Sequence, residues 1–395
     1  MKLEGIRVVD LSLFLPGPTL SLMMADQGAD VIKVESVDEG EPNRHIGQQR
    51  DGVTVYFAAT HRGKKSVALN LKHPAGQRAF ARLVATADVV VEAFRPGVAK
   101  RLGVDYDSVC KHKPDIVYVS ISAFGQDGPL AGRPAHDLAV EAMCGLLSNN
   151  VDRDGRPVLP AMPSGDMLAA ALGLSGVLMA LLRRERTGHG DYLDLAMMDA
   201  ILASMPSSVG ALFADKRPPV PDEERIWGGN ALYRIYETSD GRYVVLGGAE
   251  IKFARNLLTA LGRPDLITMC DGPPGARQLP VRQFLEETFR TRTQAEWVAF
   301  CGSLDVCFSP VNDLRQGFDL HQVQHRRMRL IDERGWEHIG TPFHFRVEPG
   351  MVNFAVPGHG VQTKSVLGEL GFRPEEIAEM IADGAAADGS SGAVD

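Results

Sequence analysis

Two short stretches hold residue types able to do chemistry together. His136 and Asp137 stand side by side in RPAHDLAVEAMCGLLSNN, and Asp166 follows Pro163, Ser164 and Gly165. Directly after Asp166 comes MLAAALGLSGVLMALLRRE, a long apolar run with the composition of a helix, ending on Arg183 and Arg184. A carboxylate at a helix N-terminus is favoured by the unpaired N–H groups of the first turn and by the macrodipole, so Asp166 reads as a helix cap. The chemical alternative is a reactive carboxylate beside donors that steady an oxyanion, with His136 folded next to it. Spacing alone leaves both accounts open.

The elements that would position these residues begin at the N-terminus. IRVVDL (6–11) is rich in β-branched residues, a helical stretch runs from the PGP at 16–18 to Gln27, and DVIKVE (30–35) is a second strand. This order predicts a parallel sheet covered by helices. Further strands are expected at 66–71, 88–94, 116–122 and 192–195. A helix at 74–87 carries Phe80, Leu83, Val84 and Ala87 on one core-facing stripe. The loop 14–18 leaves the first strand where open α/β sheets bind ligands. No GxGxxG follows it, and HRGKKS lacks the earlier glycine of a P-loop, so no NAD site is expected. Residues 38–62 are polar and irregular and read as a surface excursion.

Residues 215–225, rich in proline and charge, read as a linker. WGGNALYRIYETSDGRYVVLGG then opens a second domain with a hairpin turning at Ser239-Asp240-Gly241. Gly228 and Gly229 suit a plain turn better than a mobile cover. Helical patterns follow at 252–261, 281–290 and 294–301, with a strand candidate at 343–345. Glu250 precedes the first of these helices, where capping is its ordinary role, and Arg101 is placed to brace a helix C-terminus. The expected organisation is a large discontinuous domain (1–214 and 326–381), a linker and small domain (215–325), and a disordered tail (382–395). His321 and His325 share a helix face at i, i+4, but no third ligand is evident, so no metal is expected.

Composition narrows the class. At 395 residues the chain exceeds one ordinary core. Its 44% hydrophobic and 23% charged residues are those of a globular enzyme, and a net charge of -8 argues against nucleic acid. Five scattered cysteines without CxxC spacing read as reduced thiols. The opening MKLEGIRVVDLS lacks a signal-peptide core, and the longest apolar run, 169–182, is short for a bilayer span, so the expected location is the cytoplasm, off the membrane.

The motifs RVVDLS…PGP…MADQGADVIKVE, RGKKSVALNLK, DVVVEAFRPGVAKRLG, FGQDGP and PSGD, in this order and covering nearly the whole chain, resemble the family III CoA-transferases. That superfamily contains the formyl-CoA and carnitine CoA-transferases and alpha-methylacyl-CoA racemase. The resemblance implies an α/β fold with a Rossmann-like large domain built from both chain ends and a smaller α+β domain, in an interlocked, ring-like homodimer. It places Leu69, Lys72, Ala93, Phe94 and Arg101 at the CoA site, where Lys and Arg suit phosphates and an apolar wall suits adenine.

Asp166 falls at the family's catalytic aspartate. In the transferases it carries the acyl group as an anhydride and then CoA as an aspartyl thioester, passing CoA from an acyl-CoA to a carboxylic acid without metal or redox cofactor. In the racemases the same aspartate works with a histidine as a two-base pair on a 2-methylacyl-CoA. His136 stands where the formyl-CoA and carnitine transferases carry tyrosine and the racemases histidine; Arg101 and Glu250 also coincide with racemase residues. The expected function is CoA transfer through Asp166. The alternatives are racemisation by His136 and Asp166, and a catalytically silent CoA-binding protein.

Overall fold

The computed structural model describes residues 1–152 and 154–389. Buried aliphatic runs set its centre. β1 (Arg7–Asp10) leads through α1 (Pro16–Ala25), which starts on proline where no N–H is needed, to β2 (Asp30–Glu35). A hairpin of β3 (Gln49–Arg50) and β4 (Val53–Thr54) and helix α2 (Val55–His61) precede β5 (Lys65–Leu69). Then come α3 (Pro74–Val84), β6 (Val89–Glu92), α4 (Val98–Leu102), α5 (Tyr106–Val109) and β7 (Val117–Ser122). They are followed by α6 (Asp137–Met143), α7 (Ser164–Thr187), β8 (Asp191–Ala196) and α8 (Met197–Ala203).

Two compact units result: Met1–Cys144, Pro160–Ser204 and the chain from His321 onward form the larger, Gly145–Leu159 and Met205–Leu320 the smaller. The smaller unit holds α9 (Gly210–Ala214), the hairpin of β9 (Tyr233–Glu237) and β10 (Tyr243–Gly247), α10 (Ile251–Ala260) and β11 (Phe308–Pro310), which pairs antiparallel with β10. Its core gathers Tyr236, Val244, Leu257, Leu285, Phe289 and Trp297. The returning chain adds the hairpin β12 (Arg329–Ile331) and β13 (Glu337–Ile339), then β14 (Ala386–Ala387).

In the larger unit seven described strands form one sheet in the order β14-β5-β2-β1-β6-β7-β8. All neighbours run parallel except β14, which lies antiparallel to β5. This is an α/β fold with a dominantly parallel sheet. β1 and β6 are adjacent, yet the chain leaves β1 toward β2 and β6 toward β7. The loops after these two strands therefore flank a topological switch point, the place where such sheets take ligands.

The structure alters several expectations. The joints lie at 204/205 and 320/321 rather than at 214/215 and 325/326: Ser207, Gly210 and Ala211, ahead of the proline-rich segment, line one pocket with Trp227 and Tyr233 beyond it. Residues 38–62 are no surface excursion, because Glu41, Asn43, Thr54, Phe57, Thr60, His61 and Arg62 are buried. Residues 343–345 are irregular; the strands are β12 and β13. Of the tail expected to be disordered, 382–389 include β14, since Leu69 offers a free strand edge to Ala386; residues 390–395 lie outside the described residues. Finally, α7 spans 24 residues, long and apolar enough to cross a membrane by length and composition. One face of it packs inward, where Gly173 abuts Leu20 and Leu195 and Gly176 abuts Leu193, while Leu172, Leu178, Met179 and Leu182 are exposed.

Candidate active site

α6 and α7 meet at their N-terminal ends, and the contact is polar. Asp166 is the third residue of α7, so its amide is one of the first-turn donors that a helix cannot satisfy internally. That N–H donates to Asp137 Oδ1 at 3.0 Å, and the Ser164 N–H donates to Glu141 Oε1 at 2.9 Å. Pro163, at the N-cap, supplies no side-chain bond. The cap is therefore lent by α6, whose Asp137 and Glu141 are both buried and one helical turn apart. Gly165 is required here, because a Cβ would stand 2.9 Å from Asp137 Oδ1 and 3.1 Å from Ile201 Cδ1.

Asp166 is thus not the cap. Its own carboxylate accepts no hydrogen bond among the described residues, and it is half-buried. Burial, followed by the charges of Asp137 and Glu141, pushes its pKa up to about 7. Burial likewise raises the carboxyl of Asp137. The donors expected to steady an oxyanion are not free, since two first-turn amides of α7 already serve Asp137 and Glu141.

His136 is the N-cap residue of α6, exposed, and adjacent in sequence to the carboxylate that holds the Asp166 amide. Its ring meets Phe14 edge-on, centroids 5.7 Å apart at 85°. Phe14 sits on the loop after β1 with φ 65°, and its backbone is held at both ends: its N–H donates to Glu41 Oε1 at 2.8 Å, and its carbonyl accepts from Asn43 Nδ2. Glu41 is itself paired with Lys33 at 3.2 Å, both fully buried, and Glu35 pairs with Arg44 at 2.7 Å. Beside them Lys64 bonds Asp10 at 3.0 Å; burial lowers the Lys64 pKa to about 8 despite Asp10. The Tyr56 phenol is pushed up to about 12 by burial, then by Asp166 and Glu41, so it feels the Asp166 charge.

Sequence reasoning named Asp137 beside His136 and placed the loop of Phe14 at the ligand end of the first strand, but gave neither a role at Asp166, and it missed Glu141 and Tyr56. For Glu141 a signal existed in HDLAVE, where it follows Asp137 at i, i+4 in an otherwise apolar helix. For Tyr56 there was none.

The residues assigned to CoA lie along the C-terminal edge of the sheet. Leu69 ends β5, buried; Lys72 follows, exposed, its N–H on Asn70 Oδ1 at 3.0 Å. Ala93 and Phe94 follow β6, half-buried, and Arg101 lies exposed in the last turn of α4. β2 and β1 separate the two groups, roughly 14 Å at normal strand spacing. Phe94, Leu71, Ala99 and Leu102 pack on one core cluster that includes Leu69. Lys72 and Arg101 have no ion-pair partner among the described residues. The Phe94 N–H donates to Glu92 at 2.7 Å, and burial raises the Glu92 carboxyl to about 7.

Glu250 belongs to the smaller unit. It occupies the N-cap of α10 but makes no side-chain cap bond. It lines a pocket of about 320 Å³ with Arg225, Trp227, Tyr233 and Ser207.

With this geometry in view, known proteins provide a frame. The profile of CoA-transferase family III matches residues 3–363. A succinate–glutarate CoA-transferase of Agrobacterium fabrum is 33% identical over 83% of this chain and 84% of its own length. The alpha-methylacyl-CoA racemase of Mus musculus is 30% identical over 97% of each chain. A CAIB/BAIF family protein from Brucella suis has a crystal structure that superposes with TM-score 0.80 at 27% identity, covering 93% of this chain and 99% of that one. Fold, motifs and extent of match agree: the chain belongs to CoA-transferase family III.

Proposed function

We propose that the chain moves CoA from an acyl-CoA thioester to a carboxylic acid, with Asp166 as the covalent nucleophile. The observation that carries this reading is the acidic, half-buried setting of an unpartnered carboxylate. Surroundings that disfavour the Asp166 anion favour any neutral form of it, and an acyl adduct is neutral. A desolvated carboxylate is also the more reactive nucleophile once ionised.

In this mechanism an Asp166 oxygen attacks the thioester carbonyl, the C–S bond breaks and CoA leaves as thiolate. The thiolate then attacks the Asp166 carbonyl of the anhydride, releasing the first acid and leaving an aspartyl thioester. An acceptor carboxylate attacks that thioester, and the same two steps in reverse yield the new acyl-CoA and free Asp166. Lys72 and Arg101 would hold phosphates, and Leu69, Ala93 and Phe94 the apolar adenine wall. Thioester free energy is kept in covalent bonds throughout.

A second reading is favoured by the neighbourhood of His136. A carboxyl titrating near 7, with an imidazole on the adjoining helix start, suits a pair that removes and returns an α-proton of a 2-methylacyl-CoA. In that reading the resemblance adds Glu250 as a further catalytic residue. In either reading the working form is an interlocked cytoplasmic homodimer of large and small domains, acting without metal or NAD. A silent CoA-binding protein is the third reading.

One pair of measurements separates them. The protein is incubated with acyl-CoA, then with hydroxylamine, and the Asp166 peptide is weighed for an aspartyl hydroxamate. In parallel, deuterium entry at the α-carbon of a 2-methylacyl-CoA is followed without acceptor acid. A trapped hydroxamate is expected. Exchange without adduct would make the chain a racemase, and neither would leave a binding protein.

A further inference from the structure

The buried charges beneath the loop after β1 raise a question that the chemistry of Asp166 does not answer. Lys33 and Glu41 form a fully buried ion pair, and such pairs contribute little net stability over apolar residues of the same size. Their position accounts for them. Glu41 reaches the Phe14 N–H, Asn43 reaches the Phe14 carbonyl, and Lys33 Nζ donates to the carbonyl of Ser12 on the same loop. Thr54 in turn fixes the Asn43 carbonyl. Together they hold Phe14 at φ 65°, a left-handed conformation that glycine adopts freely and an aromatic residue does not.

What this conformation achieves is visible in the side chain. Phe14 is 37% exposed, its ring turned edge-on to His136, with the apolar Leu13 and Leu15 on either side. No cation stands on residues 11–18. Of the cations in the network beneath the loop, Lys33 is engaged by Glu41, Arg44 by Glu35, and Lys64, which donates to the Pro18 carbonyl, by Asp10. A second carboxylate on an acyl chain lying here would lose water and gain no charge partner. An alkyl or aryl chain would gain an aromatic wall.

We propose that Phe14 determines acyl-group specificity: held beside His136 by Glu41 and Asn43, its ring is the surface on which an apolar acyl chain packs. The inference rests on the reading of Asp166 as the reacting group of a CoA enzyme. The test is equilibrium binding, by calorimetry, of free CoA, butyryl-CoA and succinyl-CoA. The two acyl groups have the same chain length and differ in the terminal carboxylate. Wild-type protein should bind butyryl-CoA roughly tenfold more tightly than succinyl-CoA, the scale of small differences in an apolar pocket. Phe14→Gly should level the two while leaving free CoA unchanged, and Phe14→Leu should restore most of the preference. Removing a ring that is largely covered costs packing, so melting curves check that each variant is folded, and Phe14→Leu, which keeps an apolar side chain, carries the test if Phe14→Gly is unstable. Wild-type binding of free CoA with no preference for butyryl-CoA would overturn this proposal alone. So would a Phe14→Gly protein that keeps the preference. Failure of wild type to bind free CoA would overturn the CoA reading and this proposal with it.

Discussion

Asp137 accepts the backbone N–H of Asp166 at 3.0 Å, so one carboxylate anchors the residue whose own carboxylate it repels. The arrangement fixes the start of α7 and tunes its third residue through the same side chain. Asp137→Asn keeps an oxygen to accept that N–H and removes the charge. The variant should fold, and the Asp166 pKa should fall, moving the acid limb of the kcat/KM profile to lower pH. An unmoved limb would mean that burial and Glu141 set the titration without Asp137.

Asp166 also makes stability depend on pH. Its folded pKa, about 7, lies above the ordinary value of 3.8, so folding favours the protonated form. Stability from this group is full below pH 4 and is lost as pH rises through 7. Asp166→Asn, which cannot ionise, should therefore melt higher than wild type at pH 8 and alike at pH 4. The shift would be on the order of 2 °C per kcal/mol. Equal melting at both pH values would refute the raised pKa.

Lys72→Ala and Arg101→Ala should each weaken CoA binding, about two- to fivefold at low salt, because both charges are exposed and screened. NAD should leave the melting temperature unchanged. Normal CoA affinity in both variants would move the phosphate site elsewhere.

Replacing Glu92 by Ala removes the acceptor of the Phe94 N–H from a buried position. A loss of roughly 1–3 kcal/mol is expected from the stranded amide. CoA binding should weaken alongside, since the loop carrying Ala93 and Phe94 loses its anchor. Denaturant melts and CoA titration check the two effects separately.

Breaking the ion pair under Phe14 should be more costly. Lys33→Met leaves Glu41 charged in the interior without its partner, for which about 3–5 kcal/mol is typical. Chemical denaturation would measure it, and a loss under 1 kcal/mol, roughly the value of an exposed pair, would contradict the burial described.

Where apolar residues carried the pattern, the sequence was readable. DVIKVE is β2 from end to end, and the helix QAEWVAFC starts and stops at the expected residues 294–301. Reading failed where polar residues face inward. Glu41, Asn43 and Arg44 resemble a surface loop until their partners are known, and those partners, Lys33, Glu35 and Phe14, come from other segments. The same holds at the site. Asp166 could be singled out by its place before a long helix, but its titration is set by Asp137 and Glu141 from α6, 29 and 25 positions earlier. The short β14 carried no periodicity, and only its partner makes it a strand.

The rim of the sheet at β5 is closed entirely by late-arriving chain. The Ser66 N–H is taken by Gln362 Oε1, the Ala68 N–H by Thr363 Oγ1, and the Asn70 N–H by the Ala385 carbonyl. During synthesis, then, β5 emerges almost 300 residues before its cover, leaving an unpaired row of donors and acceptors on an apolar strand. Such an edge templates pairing between neighbouring nascent chains. Shortening the chain ahead of Gln362 should therefore yield insoluble aggregates on expression rather than a smaller folded enzyme.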